Sequence, residues 1–107
     1  MEFTTAPAFI VKALAECIEA GVVPSIREGL GGNSHSIWFV KFSVRVDREG
    51  CMSKYHSFTV KITSSYSQQF LDFTLFEGEG FDGHTTMRSM ADCVARARAN
   101  VEALALV

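Results

Sequence analysis

The sequence has no long hydrophobic run and no closely spaced cysteine pair. No apolar stretch approaches the roughly 20 residues of a membrane-spanning helix, and the first residues include Glu2 and no basic cluster. We therefore expect neither a membrane span nor a signal peptide. The three cysteines, Cys17, Cys51 and Cys93, form no C-x-x-C motif. Their number and spacing favour a reduced, cytoplasmic protein over a disulfide-stabilised one.

Lysine and arginine are missing from residues 62–87. The same stretch holds four carboxylates, which we call the acidic segment: Asp72, Glu77, Glu79 and Asp82. Because no cation lies near them in the sequence, we expect the acidic segment to bind a basic surface on another protein. The chain has a formal net charge of −2, which argues against a dedicated nucleic-acid binder, since such proteins neutralise phosphates with lysine and arginine.

The sequence does contain enough apolar material for a core. Hydrophobic residues make up 48% of the 107 residues and charged residues 21%, as in a folded protein and not a disordered one. No repeat, low-complexity tract or linker divides the chain. Residues 1–107 are therefore expected to form a single globular domain.

Apolar residues occur at helical spacing near both ends of the chain. A first helix is predicted with Thr5 as its N-cap and Gly21 at its end. A last helix is predicted after a cap at Thr85 or Thr86. The apolar stripes behind these predictions are Ile10, Leu14, Cys17 and Ile18 in the first helix and Met87, Met90, Val94, Ala97, Val101 and Leu104 in the last.

Between the helices the hydrophobic period changes to two, which is typical of half-buried strands. Three strands are predicted, at 37–46, about 54–63 and about 69–77. The predicted fold is therefore α+β, with the order α-β-β-β-α and a three-stranded antiparallel sheet that has two helices packed on one face. For residues 22–36 the sequence leaves three alternatives: a loop, a short helix or an added edge strand.

The alternation assigns the strand residues to two faces of the sheet. Trp38, Phe42, Val60 and Phe73 lie on the face that the helices are predicted to cover. The opposite face, here called the outer face, is left open and is a second candidate surface for a partner protein. Its aromatic and charged candidates are Phe39, Lys41, Arg45, Tyr55, Lys61, Phe70 and Phe76. Two alternatives would cover it: the loop at 22–36, or a homodimer.

Gly78, Gly80 and Gly83 have the G-x-G-x-x-G spacing of a dinucleotide-binding turn. In a dinucleotide-binding fold that turn leads through a helix to a second parallel strand, whereas the predicted helix here is the last element. The surrounding acidic segment would also repel a pyrophosphate. We therefore expect a strand-to-helix turn that binds no nucleotide, and no cofactor.

The cysteines and histidines form no pattern typical of a metal or catalytic site. Cys51 and His56 lie in one predicted hairpin, but no second closely spaced pair completes a tetrahedral zinc set. Cys17 and Cys93 fall on or beside the helix stripes and are predicted to be small buried hydrophobes. A Cys–His nucleophile would also need an orienting group and an oxyanion donor, which the sequence does not indicate. We expect no metal site and no enzymatic activity.

The predicted α-β-β-β-α order resembles the double-stranded RNA-binding domain over about residues 5–106. In that family the first helix, the first hairpin and the lysine-rich start of the second helix contact RNA. Here the corresponding helix start is HTTMR, with Arg88 as its only cation, and the hairpin turn is DREG in place of the family's Pro–His loop. The family's RNA-contacting residues therefore do not carry over to this chain.

These observations together predict a small non-catalytic protein–protein interaction module, either an inhibitor or an adaptor. Compact chains of this kind are frequent among phage and mobile-element proteins that block host defences, anti-CRISPR proteins included, so an anti-defence role is the expected class. Nucleic-acid binding of the double-stranded RNA type is the first alternative. A small-ligand binder or enzyme that uses the glycine-rich loops is the second.

Overall fold

Strand pairing joins most of the chain into one antiparallel sheet. The computed structural model describes residues 6–31, 35–46, 54–65, 70–77 and 84–105. The elements in chain order are α1 (Ala8–Glu19), β1 (Ser25–Glu28), β2 (His35–Val46), β3 (Lys54–Ser65), β4 (Leu71–Glu77), β5 (His84–Met87) and α2 (Met90–Ala105). The sheet has the strand order β1-β2-β3-β4-β5, and every pair of neighbours is antiparallel.

The α+β class is confirmed, but the prediction of a three-stranded sheet is wrong. The predicted strands at 37–46, 54–63 and 69–77 correspond to β2, β3 and β4, and two further strands of four residues each, β1 and β5, form the edges. The order is therefore α-β-β-β-β-β-α. The likeness to the double-stranded RNA-binding domain depended on the three-stranded order, so it loses its basis.

Both edge strands lack the hydrophobic alternation that identifies longer strands. All four residues of β1 are exposed, and β1 is held by pairing with residues 38–41 of β2. β5 has the sequence HTTM and pairs with residues 73–76 of β4. Residues 78–83 consequently join two strands, and the predicted strand-to-helix turn is wrong. The three glycines of that motif lie outside the described residues.

The starts of both helices differ from the predicted caps. The N-cap of α1 is Pro7, which makes no side-chain capping hydrogen bond, and Thr5 lies outside the described residues. The prediction of a cap at Thr85 or Thr86 is wrong, because both belong to β5. Ser89 is the capping residue of α2, since its Oγ accepts a 3.1 Å hydrogen bond from the backbone N–H of Asp92.

The predicted end of α1 at Gly21 is confirmed, and its geometry is a Schellman motif. The N–H of Gly21 donates to the carbonyl of Ile18, and the N–H of Val22 donates to the carbonyl of Cys17, both at 3.0 Å. Gly21 has a φ of 82°, in the left-handed region. A residue without a Cβ adopts this region at little cost, which is why the helix ends here.

The core lies between the helices and the inner face of the sheet, as predicted. Phe42 and Phe58 face each other across β2 and β3, with stacked rings whose centroids are 5.6 Å apart. α2 contacts the four strands β2, β3, β4 and β5, and α1 packs against α2. The buried cluster comprises Phe9, Ile10, Ala13, Cys17, Val22, Trp38, Val40, Phe42, Val44, Phe58, Val60, Ile62, Phe73, Leu75, Met90, Cys93, Val94, Ala97 and Val101. The outer face is the side of the sheet that these two helices do not cover.

Candidate functional site

Strand register places a cation–aromatic–cation row on the outer face. Residues directly opposite each other on neighbouring strands project to the same face. Arg27 of β1 lies opposite Phe39 of β2, which in turn lies opposite Lys61 of β3. The guanidinium carbon of Arg27 lies 5.1 Å from the centre of the Phe39 ring, a distance at which the cation is attracted to the ring face. Phe39 thus lies between two positive side chains.

A second group of outer-face side chains lies towards the end of β2 and the start of β3. Arg45 lies opposite Tyr55, and Lys41 lies opposite Ser25 of β1. Lys41 and Arg45 are both exposed, and Tyr55 is 65% exposed. Between the two cations along β2 is Ser43, whose hydroxyl lies 3.5 Å from that of Ser57. This part of the outer face is therefore cationic, rich in hydroxyl groups and accessible.

The outer face carries an excess of positive charge among the described residues. Four cations project from it, and Asp72, opposite Thr63, is the one carboxylate at a described outer-face position. The cations are Arg27, Lys41, Arg45 and Lys61. The outer face is therefore positively charged at its described positions, although the whole chain has a net charge of −2. Such a face is complementary to a partner with negative charge.

The two remaining aromatic candidates differ in accessibility. Phe70 precedes β4 and is 73% exposed, and its backbone exchanges hydrogen bonds with Ser65 at the edge of the outer face. Phe76 projects to the outer face as predicted but is only 8% exposed. Phe70 can therefore contact a partner, whereas the ring of Phe76 offers almost no surface.

Arg27 is a site residue that the sequence interpretation missed, because β1 was not predicted. Gly29 directly follows this strand, and a Cβ added there would lie 2.7 Å from Cε2 of Phe39. The Phe39 ring therefore lies directly against the glycine backbone. The available signal was a short apolar–charged segment, SIRE, placed between Pro24 and Gly29.

The described members of the acidic segment do not form one patch. Asp72 lies on the outer face. Glu77, at the other end of β4 and opposite Phe58, projects to the inner face. Glu77 is also engaged within the molecule, since its Oε1 accepts a hydrogen bond from Nδ2 of Asn100 on α2. Glu79 and Asp82 lie outside the described residues. Binding of a basic partner by the acidic segment stays a prediction.

A groove of about 630 Å³ lies beside β2, beyond its last pair with β1. β1 pairs with β2 only as far as Ser25, opposite Lys41. β2 continues to Val46, so its last residues form the floor of the groove. We call this the edge groove; it is lined by Gly21, Val22, Val23, Ser25, Lys41, Phe42, Ser43, Val44, Arg45, Tyr55 and Arg98. Three of these described lining residues are cations and none is a carboxylate.

Arg98 brings a cation from α2 to the inner wall of the edge groove. A Cβ built on Gly21 would lie 3.5 Å from Nη2 of Arg98, so the guanidinium lies beside the C-terminal end of α1. The last turn of α1 has no basic residue of its own. A cation at this position interacts favourably with the negative end of the helix dipole, and it remains half-buried at the groove.

The two described cysteines are unsuited to nucleophilic chemistry. Cys17 and Cys93 are fully buried, which confirms the prediction of small buried hydrophobes. Burial is the main cause that raises the pKa of Cys17 to about 11, and the negative charge of Glu16 contributes to the increase. Burial is likewise the main cause that raises the pKa of Cys93 to about 12, with a smaller contribution from the negative charge of Asp92. Both thiols are therefore protonated at neutral pH, and Cys51 lies outside the described residues.

No group of three or more histidine, cysteine or acidic side chains within the described ranges is arranged to hold a metal ion. Neither α1 nor α2 has the length and apolar content of a membrane-crossing helix within the described part of the chain. No family model, curated protein or solved structure matches this chain. The outer face and the edge groove are therefore the two candidate functional features of the described residues.

Proposed function

We propose that this protein is a non-catalytic protein–protein interaction module that binds an acidic partner through its outer face. The observation that carries the proposal is the juxtaposition of Arg27, Lys41, Arg45 and Lys61 around Phe39 and Tyr55 on the face that neither α1 nor α2 covers. Aromatic and arginine side chains are enriched at the centres of protein interfaces. The cations select a partner of negative charge and increase the rate of encounter.

A second copy of the chain is disfavoured as the occupant of the outer face. Packing two such faces together would bring the four cations of one copy towards the four of the other, with Asp72 as the one described carboxylate on each side. Like charges in an interface cost several kcal/mol. A heterologous acidic partner avoids this repulsion, so the homodimer predicted as an alternative is the weaker proposal.

An inhibitor or adaptor role of the anti-defence type, the class expected from the sequence, is part of this proposal. The genes adjacent to that of this protein test the class directly. A neighbouring regulator or further anti-defence genes would support it, and a neighbourhood of metabolic enzymes would contradict it.

Site-specific photo-crosslinking in cells tests the outer face as a protein-binding surface. A benzophenone amino acid in place of Tyr55, which is 65% exposed, should capture a defined protein. The same group in place of Val11, which is 56% exposed on α1, is the matched control and should not. Capture of RNA at Tyr55 in place of protein would refute the proposal and favour the nucleic-acid alternative.

The charge requirement is tested with a matched pair of variants. Lys41→Glu reverses a charge on the outer face, and Lys12→Glu makes the same change on the exposed side of α1. Crosslinking at Tyr55 should fall at least about tenfold with Lys41→Glu, which corresponds to about 1.4 kcal/mol, and stay near wild type with Lys12→Glu. Equal capture by both variants would contradict the assignment of an acidic partner.

A further inference from the structure

We infer that the edge groove is a strand-addition site, in which an extended acidic segment of the partner protein pairs with β2 at Ser43, beyond the residues that pair with β1. This inference rests on the proposed function and specifies its mode of binding. In strand addition the main chain of the ligand extends an existing sheet, while alternate side chains of the ligand provide specificity. The edge groove offers both kinds of contact.

The backbone of β2 presents hydrogen-bonding groups to the edge groove at Ser43. The carbonyl of Ile37 accepts a 2.8 Å hydrogen bond from the N–H of Gly29, on the β1 side of β2. Residues two apart in a strand direct their backbone groups to the same side. The N–H and carbonyl of Ser43 therefore face the side on which β1 has ended, and those of Val44 face β3.

β1 cannot begin earlier, opposite Ser43, because the preceding residues still belong to the end of α1. Continued register would place Val23 opposite Ser43, yet no backbone hydrogen bond joins these two described residues. The preceding residue, Val22, donates its N–H to Cys17 in the Schellman motif. The helix end therefore draws the chain away from β2 and leaves the edge groove beside Ser43.

The floor of the groove has space for a short strand. Five residues of β2, Phe42–Val46, extend beyond the last pair of β1 and β2. At about 3.3 Å per residue this is roughly 16 Å, the length of a common strand. A ligand that runs antiparallel to β2 would lie end to end with β1 and complete the sheet along that edge.

The charges predict the side-chain pattern of the ligand. A residue opposite Arg45 projects to the outer face, and a residue opposite Ser43 projects to the same face with Lys41 and Arg45 as its diagonal neighbours. Both positions favour aspartate or glutamate. The residue between them projects to the inner face towards Val44, where an apolar side chain fits. The expected motif is acidic–apolar–acidic, with Arg98 available to a further acidic group on the inner side.

Neither a second copy nor a nucleic acid matches this edge. Antiparallel pairing of Ser43 with Ser43 of another copy would place Lys41 directly opposite Arg45, and like charges in that position are destabilising. A strand edge also alternates N–H donors with carbonyl acceptors. Phosphate oxygens can use the donors but are repelled by the carbonyls, whereas a peptide main chain satisfies both.

Peptide selection and backbone modification test the inference. Random 12-residue peptides displayed on phage are selected against the full chain, and the tightest binder is synthesised with single N-methyl groups along its backbone. We expect an acidic–apolar–acidic consensus. Methylation at residues whose N–H faces β2 should weaken binding at least about tenfold, and methylation at the residues between them should have little effect. A consensus without acidic residues, or uniform tolerance of methylation, would overturn the inference.

Amide hydrogen exchange provides a test that needs no variant. In the free protein the amide of Ser43 should exchange much faster than that of Val44, and the selected peptide should slow exchange at Ser43. Arg45→Glu should weaken the peptide at least about tenfold, while Arg96→Glu, the same change at an exposed position of α2, should not. Unchanged exchange at Ser43 upon binding would overturn strand addition.

The two proposals fail in distinguishable ways. If Tyr55 captures a protein but the selected peptides leave Ser43 unprotected, the outer face is a binding surface and the strand-addition inference is wrong. If Tyr55 captures no protein in cells, the proposed function is wrong, whatever peptides bind to the edge groove in vitro.

Discussion

Replacement of Gly21 by alanine should destabilise the fold through backbone conformation alone. Gly21 has a φ of 82°, and an L-residue in this left-handed region costs roughly 1–2 kcal/mol. Alanine also reduces the conformational freedom of the unfolded chain, which returns roughly 0.4–1 kcal/mol. The expected net loss in the free energy of unfolding is therefore about 1 kcal/mol, and the melting temperature should fall by about 4 °C.

Steric exclusion makes no large contribution to this loss. A Cβ at Gly21 would lie 3.5 Å from Nη2 of Arg98, an ordinary van der Waals distance. The cost should therefore persist when Gly21→Ala is made in an Arg98→Ala background, because the two effects are independent. If the loss disappears in that background, contact with the guanidinium and not backbone strain is its cause.

Urea unfolding followed by fluorescence measures this change directly. Trp38 is the single tryptophan of the chain and is buried in the core, so its emission reports global unfolding. Gly21→Asn is the control, since asparagine tolerates the left-handed region better than alanine does. It should lose less stability than Gly21→Ala. A Gly21→Ala protein as stable as wild type would refute the argument from the Schellman motif.

Two further predictions concern the last helix and the buried thiols. Ser89→Ala removes the cap of α2 and should cost about 1 kcal/mol, whereas Thr86→Ala at an exposed β5 position should stay within about 0.5 kcal/mol; equal losses in urea unfolding would contradict the assignment of the cap. The raised pKa values of Cys17 and Cys93, about 11 and about 12 against an ordinary value of 9.0, mean that the native state keeps protons which the unfolded state loses. Their stabilisation is complete below about pH 9 and declines as the pH rises to 11–12, with a slope of up to about 1.4 kcal/mol per pH unit for each thiol. Urea midpoints at pH 8, 9 and 10 should therefore fall less steeply in a Cys17→Ala/Cys93→Ala variant, and parallel slopes would refute the linkage.

The elements that bury a regular stripe of side chains could be predicted from the sequence. β2 alternates buried and accessible residues from Trp38 to Val44, and β3 does the same from Phe58 to Ser64. In α2 the stripe of Met90, Val94, Ala97 and Val101 is buried as its spacing requires. In each case the hydrophobic period is a direct consequence of which side faces the core.

The edge strands could not be predicted, because partner strands and not their own side chains hold them in place. β1 buries none of its four residues and depends on main-chain pairing with residues 38–41 of β2. β5 is bounded by a glycine-rich stretch and a helix, where threonine is as typical of a cap as of a strand. The error at β5 also produced the wrong cap for α2, since Thr85 and Thr86 were assigned to the helix start.

Only the part of the candidate site that lies on β2 and β3 could be predicted, because β1 was not recognised as a strand. The period of β2 and β3 correctly assigned Phe39, Lys41, Arg45 and Tyr55 to one face. It contained no information on Arg27, whose place beside Phe39 depends on the register of β1. The position of Arg98 depends on how α2 packs against the end of α1, which is a tertiary contact between distant parts of the chain.

The mismatch in strand length connects the fold to the proposed function. β1 has four residues and β2 has twelve, so a regular sheet leaves part of the β2 edge beyond its neighbour. An exposed strand edge favours aggregation unless charge or irregular geometry protects it. Lys41 and Arg45 provide that charge, because they oppose pairing between identical edges. In the proposed binding mode the same two cations attract an acidic strand, so one arrangement of residues would both oppose self-association and select the partner.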